Sequence, residues 1–265
     1  MGTTGSCEPP HRGSDGNLCA YRMGDPLPEV LVEFAPEAIV HLAWEGIPDF
    51  GRERCLKNLT DQAAFFSSVL TMSPLRRVVV AGTCREYGDL TGRSPGMIEA
   101  SPVDDFGRTK DALHRMLRAA CDKSQVDLIW FRIFYVYGPG QRRESLIPSI
   151  LHQLRSGPDA GVSNPDSAHD FVFVSDVAAA FRLAVESEGG PAVVDLGSGD
   201  LHRVREVLNT AMAEIGKRQP ASEKAPQAAT GLKANLVASE ALGWTPIVDL
   251  AEGIRRMVVA DWPPT

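Results

Sequence analysis

No stretch of this 265-residue chain approaches the roughly 18 consecutive apolar residues that a membrane-spanning helix needs. The N-terminus also lacks the basic-then-apolar pattern of a secretory signal. A soluble, cytoplasmic protein with no membrane partner is the simplest expectation. Cysteine is scarce: Cys7, Cys19, Cys55, Cys84 and Cys121 are odd in number, widely scattered and never spaced Cys-x-x-Cys. That pattern argues against a disulfide framework or a thiolate zinc site. The six histidines, His11, His41, His114, His152, His169 and His202, form no ligand-like cluster, so no metal is expected. Excess positive charge is missing too. The 27 basic and 34 acidic residues give a net charge of -7, which disfavours phosphate-backbone binding and sets nucleic acid aside as a partner.

What is present is an alternation of buried strands and amphipathic helices. Ala38 to Trp44, Val78 to Ala81, Leu128 to Val136 and Ala192 to Leu196 are apolar runs of the kind that form parallel strands covered on both faces. Asn17 to Gly24 reads as a further short strand and Leu27 to Phe34 as a short helix opened by proline. Asn58 to Leu70, Gly107 to Cys121 and Ser145 to Arg155 carry helical apolar stripes, the last closed by Gly157. Strands and helices alternating at this spacing predict a parallel α/β sheet.

One unit of such a fold is hard to find. A dinucleotide site needs an apolar strand, a Gly-rich turn and a helix whose N-terminus meets the pyrophosphate. Residues Met1 to Gly16 show no periodicity and read as a tail, and Gly2-Thr3-Thr4-Gly5 has no strand before it and Pro9-Pro10 soon after. The Ala38 to Trp44 strand is then expected at an apolar sheet edge, covered by the tail, a second copy or a partner chain.

Several segments, in order, resemble the extended short-chain dehydrogenases/reductases, the NAD-dependent nucleotide-sugar epimerases and dehydratases. They are the AIVHLAW strand, Thr83 closing strand VVVAGT, Lys110 in DFGRTK, Tyr137-Gly138-Pro139-Gly140, the segment His169 to Ala178 (HDFVFVSDVA), Gly197-Ser198-Gly199 and Leu242 to Pro246 (LGWTP). The resemblance implies an α/β fold: an incomplete Rossmann-like parallel sheet (17–137 and 169–197), a small substrate-side lobe (138–168 and 198–265) and an atypical tail (1–16). It also implies a small-molecule ligand and a homodimer formed through the helices at Asn58 and Gly107.

By the same resemblance, Thr83 hydrogen-bonds a substrate oxygen and Lys110 holds the nicotinamide ribose, while a tyrosine four residues before that lysine moves the proton. Here that position is Phe106, which carries no hydroxyl. Cys84 and Arg85 replace the acid pair of dehydratases, Tyr135 replaces a diphosphate-binding Asn, His169 replaces an Arg, and no Arg stands near Ala225-Pro226. The candidate catalytic residues are Thr83, Lys110, Cys84 as a thiolate, and Tyr87. Asn58, Phe106, Tyr135, Tyr137 and His169 are the candidate substrate contacts. NAD(P) is the cofactor the resemblance implies, but the absent Gly-rich turn leads to an expectation of no cofactor and no assigned cofactor residues. Two functions follow: a divergent enzyme acting on a sugar-like or polar metabolite without NAD(P) turnover, or a scaffolding subunit pairing through its open sheet edge. A reading frame lacking an upstream Gly-rich unit accounts equally for the missing turn.

Overall fold

The computed structural model describes residues 19–88, 99–217 and 229–261. The tail, with Gly2 to Gly5, and the Ala225-Pro226 position lie outside them. Helix α1 (Glu29–Phe34) leads into strand β1 (Ala38–His41), helix α2 (Arg52–Val69) and strand β2 (Arg77–Ala81). A 3-10 turn at Cys84–Tyr87 precedes α3 (Asp105–Ser124), which is followed by β3 (Asp127–Ile133) and β4 (Tyr135–Tyr137). Strand β1 pairs parallel with β2, β2 with β3, and β3 with the later strand β7 (Val193–Leu196), giving the sheet order β1-β2-β3-β7.

The period-2 alternation of a strand decides how this sheet is covered. Val78 and Val80 point to one face and pack with Phe65, Phe66, Leu113, Leu117 and Trp130 under α2 and α3. Val79 points to the other, with Ile129, Phe131 and Phe181 from α5 (Val174–Glu186). All three valines are fully buried, as expected of a parallel strand with helices on both sides. A separate cluster joins α4 (Leu146–Ser156) through Ile147, Ile150 and Leu154. Beyond the short strands β5 (Ala168–His169), β6 (Phe171–Phe173) and β8 (His202–Arg203), the same cluster takes in α6 (Val204–Glu214), which contributes Val207 and Ala211. Helix α7 (Val237–Ala241) lies against β7, and α8 (Leu250–Asp261) adds Ile254 and Met257 to that cluster.

Four boundaries depart from the sequence reading. Residues 19–24 form a turn, with the Tyr21 hydroxyl donating to the Asp25 carbonyl, so no strand is found there among the described residues. Strand β1 stops at His41, three residues short of Trp44. Helix α2 begins at Arg52 after Gly51 rather than at Asn58, which is buried mid-helix with its side chain hydrogen-bonded to the Glu45 backbone. The run LIWFRIFYV is two strands. Phe134 N still donates to Leu196 O, whereas Tyr135 N donates to Asp170 O, so the chain changes partner from β7 to β6. At the other end of the sheet, no described strand pairs with the outer edge of β1, and Val40 and Leu42 are 42% and 64% exposed.

Candidate functional site

Strand β2 delivers Thr83 to the carboxyl end of the sheet, where ligands of open α/β folds bind. Its Oγ1 accepts from Arg85 N at 3.3 Å, and its backbone N donates to Glu86 Oε1 at 2.9 Å, a reciprocal capping box. Glu86 is wholly buried. It also accepts from Trp130 Nε1 at 3.0 Å and Arg132 Nε at 2.9 Å. Only glycine fits at position 82, since a Cβ there would overlap Trp130 Nε1 and Glu86 Oε1. Arg132 lies 4.4 Å above the Tyr87 ring, and the Tyr87 hydroxyl donates to Asp195 Oδ1 at 2.7 Å. Burial raises the Glu86 carboxyl while the Arg132 charge opposes it, and burial together with Asp195 raises the Tyr87 hydroxyl.

The opposite side of Thr83 is built by α3. Asp104 caps this helix by accepting from Gly107 N at 2.8 Å. Gly107 lets the first turn press against the preceding segment, because a Cβ would lie 2.5 Å from Arg85 O. One helical turn on, Lys110 is 4% exposed; its Nζ donates to Ala81 O at 2.8 Å and stands 4.6 Å from the Trp44 ring centroid. Desolvation lowers this ammonium to about 8, with Glu86 pulling the other way. Phe106 meets Trp44 edge-on at 4.9 Å and Phe50 at 4.6 Å. Trp44 Nε1 is buried and has no hydrogen-bond partner among the described residues.

A third wall comes from β4 and β5. The Tyr135 and His169 rings stand 4.1 Å apart, with Phe171 beyond them. Burial raises the Tyr135 hydroxyl. Phe134, its chain neighbour, packs in one cluster with Cys84 and Tyr87, so this wall adjoins the turn after Thr83. Thr83, Lys110, Cys84 and Phe106 lie around the carboxyl end of β2, and Tyr135, stacked on His169, follows the carboxyl end of the neighbouring β3.

Four candidates stand in surroundings unlike those their expected roles need. Burial, with Asp195, Asp170 and Glu86 nearby, pushes the Cys84 thiol up to about 12, away from a thiolate. The Tyr87 hydroxyl is committed to Asp195. Tyr137 is 3% exposed within the cluster formed by α4, α6 and α8, its hydroxyl directed at the Asp249 and Leu250 carbonyls. Asn58 fixes the loop after β1, accepting from Glu45 N at 2.8 Å and donating to Glu45 O at 3.0 Å. The sequence reading missed Trp44, Glu86, Arg132 and Asp195 as builders of the site. The signal for two of them was Arg132 itself: a lone cation in a buried apolar strand requires an anion, and Glu86 is the one it found.

The site thus presents a buried cation at the sheet's carboxyl end and, beside it, an indole N–H with no partner among the described residues. Comparisons with known proteins bear on the same site. A family model described as the NAD dependent epimerase/dehydratase family matches residues 5–197. The dTDP-4-dehydro-6-deoxyglucose reductase of Escherichia coli is 24% identical over 88% of this chain and 77% of its own length. The dTDP-6-deoxy-L-talose 4-dehydrogenase (NAD(P)(+)) of Kitasatospora kifunensis is 28% identical, and the match spans 73% of this chain and 65% of that relative. MoeE5, solved with UDP-glucuronic acid and NAD, superposes with a TM-score of 0.74 at 26% identity over 87% of this chain and 81% of its own. The expectation of no cofactor is overturned by these matches, whose family and solved structures are NAD-dependent or NAD-bound. It rested on a Gly-rich turn sought in residues that the structure does not describe.

Proposed function

Since this chain belongs to the NAD dependent epimerase/dehydratase family, we propose that it binds a nucleotide sugar with NAD(P) in the cleft around Thr83 and Lys110, and that its sugar oxidation–reduction runs far below the rate a tyrosine at position 106 allows. The observation that carries this reading is the surroundings of Lys110: its neighbours are a carbonyl, an indole face and, one turn back, the Phe106 ring. NAD(P), when bound, supplies hydride exchange. Thr83 Oγ1 is the group placed to hydrogen-bond a sugar oxygen, and Lys110 with the Trp44 N–H would hold the cofactor's ribose side. No group at position 106 moves a proton to or from that oxygen. A positioned acid-base group is worth about 10²–10⁴-fold in rate.

The test is a pair of measurements on the wild type and Phe106→Tyr. Tryptophan fluorescence follows binding of NAD(H), NADP(H), UDP-glucose and dTDP-glucose, and the absorbance of reduced nicotinamide follows turnover. Binding by both proteins, with turnover roughly 100-fold or more higher in the variant, is the expected result. Ligand binding with no gain on restoring the hydroxyl overturns the proposal.

A second reading, a scaffolding subunit, is favoured by the outer edge of β1, which pairs with no strand among the described residues, and by the exposed Val32 and Phe34 of the neighbouring α1. Homodimer formation through α2 and α3 also belongs to the proposal, supported by exposed Leu56 and Met116 on those helices. Sedimentation with and without β1-edge charges (Val40→Lys) and α2–α3 charges (Leu56→Glu) separates the two surfaces.

A further inference from the structure

Arg85 leaves the same 3-10 turn that Thr83 caps, and it has no part in the proton transfer just described. Its Nε donates to Asp104 Oδ2 at 3.0 Å, while the other oxygen of that carboxylate is occupied by Gly107 N. The guanidinium carbon is 5.3 Å from the Phe50 ring centroid and 5.4 Å from that of Phe106. One edge of the fork is thus held by a helix cap and two phenyl rings flank it. The Nη1 and Nη2 groups meet no partner among the described residues, and the side chain keeps 41% of its exposure. The Phe106 ring beside it also meets Trp44, whose ring faces Lys110, so the guanidinium borders the same site. Beyond Asp104, the carboxylates nearest the Thr83 turn are already engaged, Glu86 with Arg132 and Asp195 with Tyr87.

We infer that Arg85 selects nucleotide sugars whose hexose carries a carboxylate, a uronic acid, by a two-pronged hydrogen bond from Nη1 and Nη2. The inference rests on the reading above that the cleft takes a nucleotide sugar, and it names the class of sugar. A planar carboxylate matches the free edge of a guanidinium, and a fork already oriented loses little rotamer freedom on binding. A neutral hydroxymethyl group leaves those donors unpaired in a half-enclosed cleft. The carboxylate belongs to the hexose because Arg85 stands two residues from Thr83, the group placed against the sugar oxygen.

Calorimetric titration of the full chain with UDP, dTDP and the glucose and glucuronic acid esters of both is the test. The wild type is expected to bind the glucuronic acid form of whichever nucleotide it accepts roughly 10–100-fold more tightly than the glucose form. Arg85→Gln removes that ratio and leaves the bare nucleotide's affinity unchanged; Arg85→Lys, with the charge but not the fork, keeps only part of it. Equal binding of both sugars by the wild type overturns the inference and leaves the nucleotide-sugar reading standing. Equal weakening of the bare nucleotide and both sugars by Arg85→Gln also overturns it, since it assigns the fork to a diphosphate. Binding of none of the six compounds removes the reading and the inference together.

Discussion

Behind Thr83 and in front of it, the protein has solved the same burial problem in opposite ways. Behind, Glu86 receives three separate donors, and Arg132, Tyr87 and Asp195 continue the network, so each charge has an opposite charge or a hydroxyl. In front, Lys110 is nearly as buried but has one carbonyl and an aromatic face, and the adjoining indole N–H has no partner among the described residues. A paired network fixes geometry; a buried cation without a counter-charge beside a donor without a partner among the described residues leaves contacts for something else to complete. The rigid side holds Thr83, and the incomplete side is where the proposal puts ligand and chemistry.

The sharpest way to break this contrast is to open the rear network. Glu86→Leu strands Arg132 without its anion in a site that is 0% exposed at the glutamate and 7% at the arginine, and should cost about 3–5 kcal/mol. The double variant Glu86→Leu/Arg132→Leu removes both charges and should recover much of that loss. Urea unfolding of the two variants measures the difference, and a double variant no more stable than the single would show that the pair is not the coupled unit.

Much of this arrangement was legible in the sequence and some was not, for identifiable reasons. The parallel sheet was, because Val78 to Val80 and the core of β3 are apolar on both faces, which only a doubly covered strand requires. Thr83, Lys110 and Phe106 were singled out by the family resemblance, and the structure brings them to one end of the sheet. The division of LIWFRIFYV into β3 and β4 was not, because a change of hydrogen-bond partner at Phe134 leaves no mark on an apolar run. The hydroxyl directions of Tyr87 and Tyr137 were hidden for a related reason: a tyrosine's pattern shows that it is half-buried, while the direction of its hydroxyl depends on Asp195 and on the carbonyls at the start of α8, distant in the chain. Arg85 was noted as a departure from a pattern, but its support by Asp104, Phe50 and Phe106 exists only in three dimensions.

The front of the site carries a smaller penalty with a definite pH signature. Lys110 is lowered by burial from the usual 10.5 to about 8. Between those values the unfolded chain holds more protons than the folded one, so this group's contribution to stability rises with pH across that window. Below about pH 8 the charged amine opposes folding by roughly 3 kcal/mol before its carbonyl bond and aromatic contact are credited. Replacing Lys110 with Met should remove the rise between pH 8 and 10.5 while leaving the contributions of other groups, and unfolding midpoints of both proteins across that range give the difference directly. An unchanged pH profile would mean that the ammonium is better solvated than its 4% exposure implies.

The smallest effect lies where the rear network runs out. His114 stacks on Trp130 at 4.8 Å, is 7% exposed, and its Nε2 has no partner among the described residues. Burial, with Arg132 adding to it, lowers this histidine to about 4. Its folded value lies below the unfolded 6.5, so the unfolded state gains protons first on acidification and stability falls as pH drops from about 6.5 toward 4. His41, also lowered to about 4 by burial but hydrogen-bonded to Gln62 at 2.8 Å, acts in the same direction. Replacing His114 with Leu removes an unsatisfied buried nitrogen and should change stability at pH 7 by about 1 kcal/mol or less, in the stabilising direction. The variant should also lose less stability than the wild type between pH 6.5 and 4, the remaining acid sensitivity there including that of His41. A destabilised variant at pH 7 would show that His114 Nε2 has a partner after all, and the rear network would then extend one residue further than these contacts define.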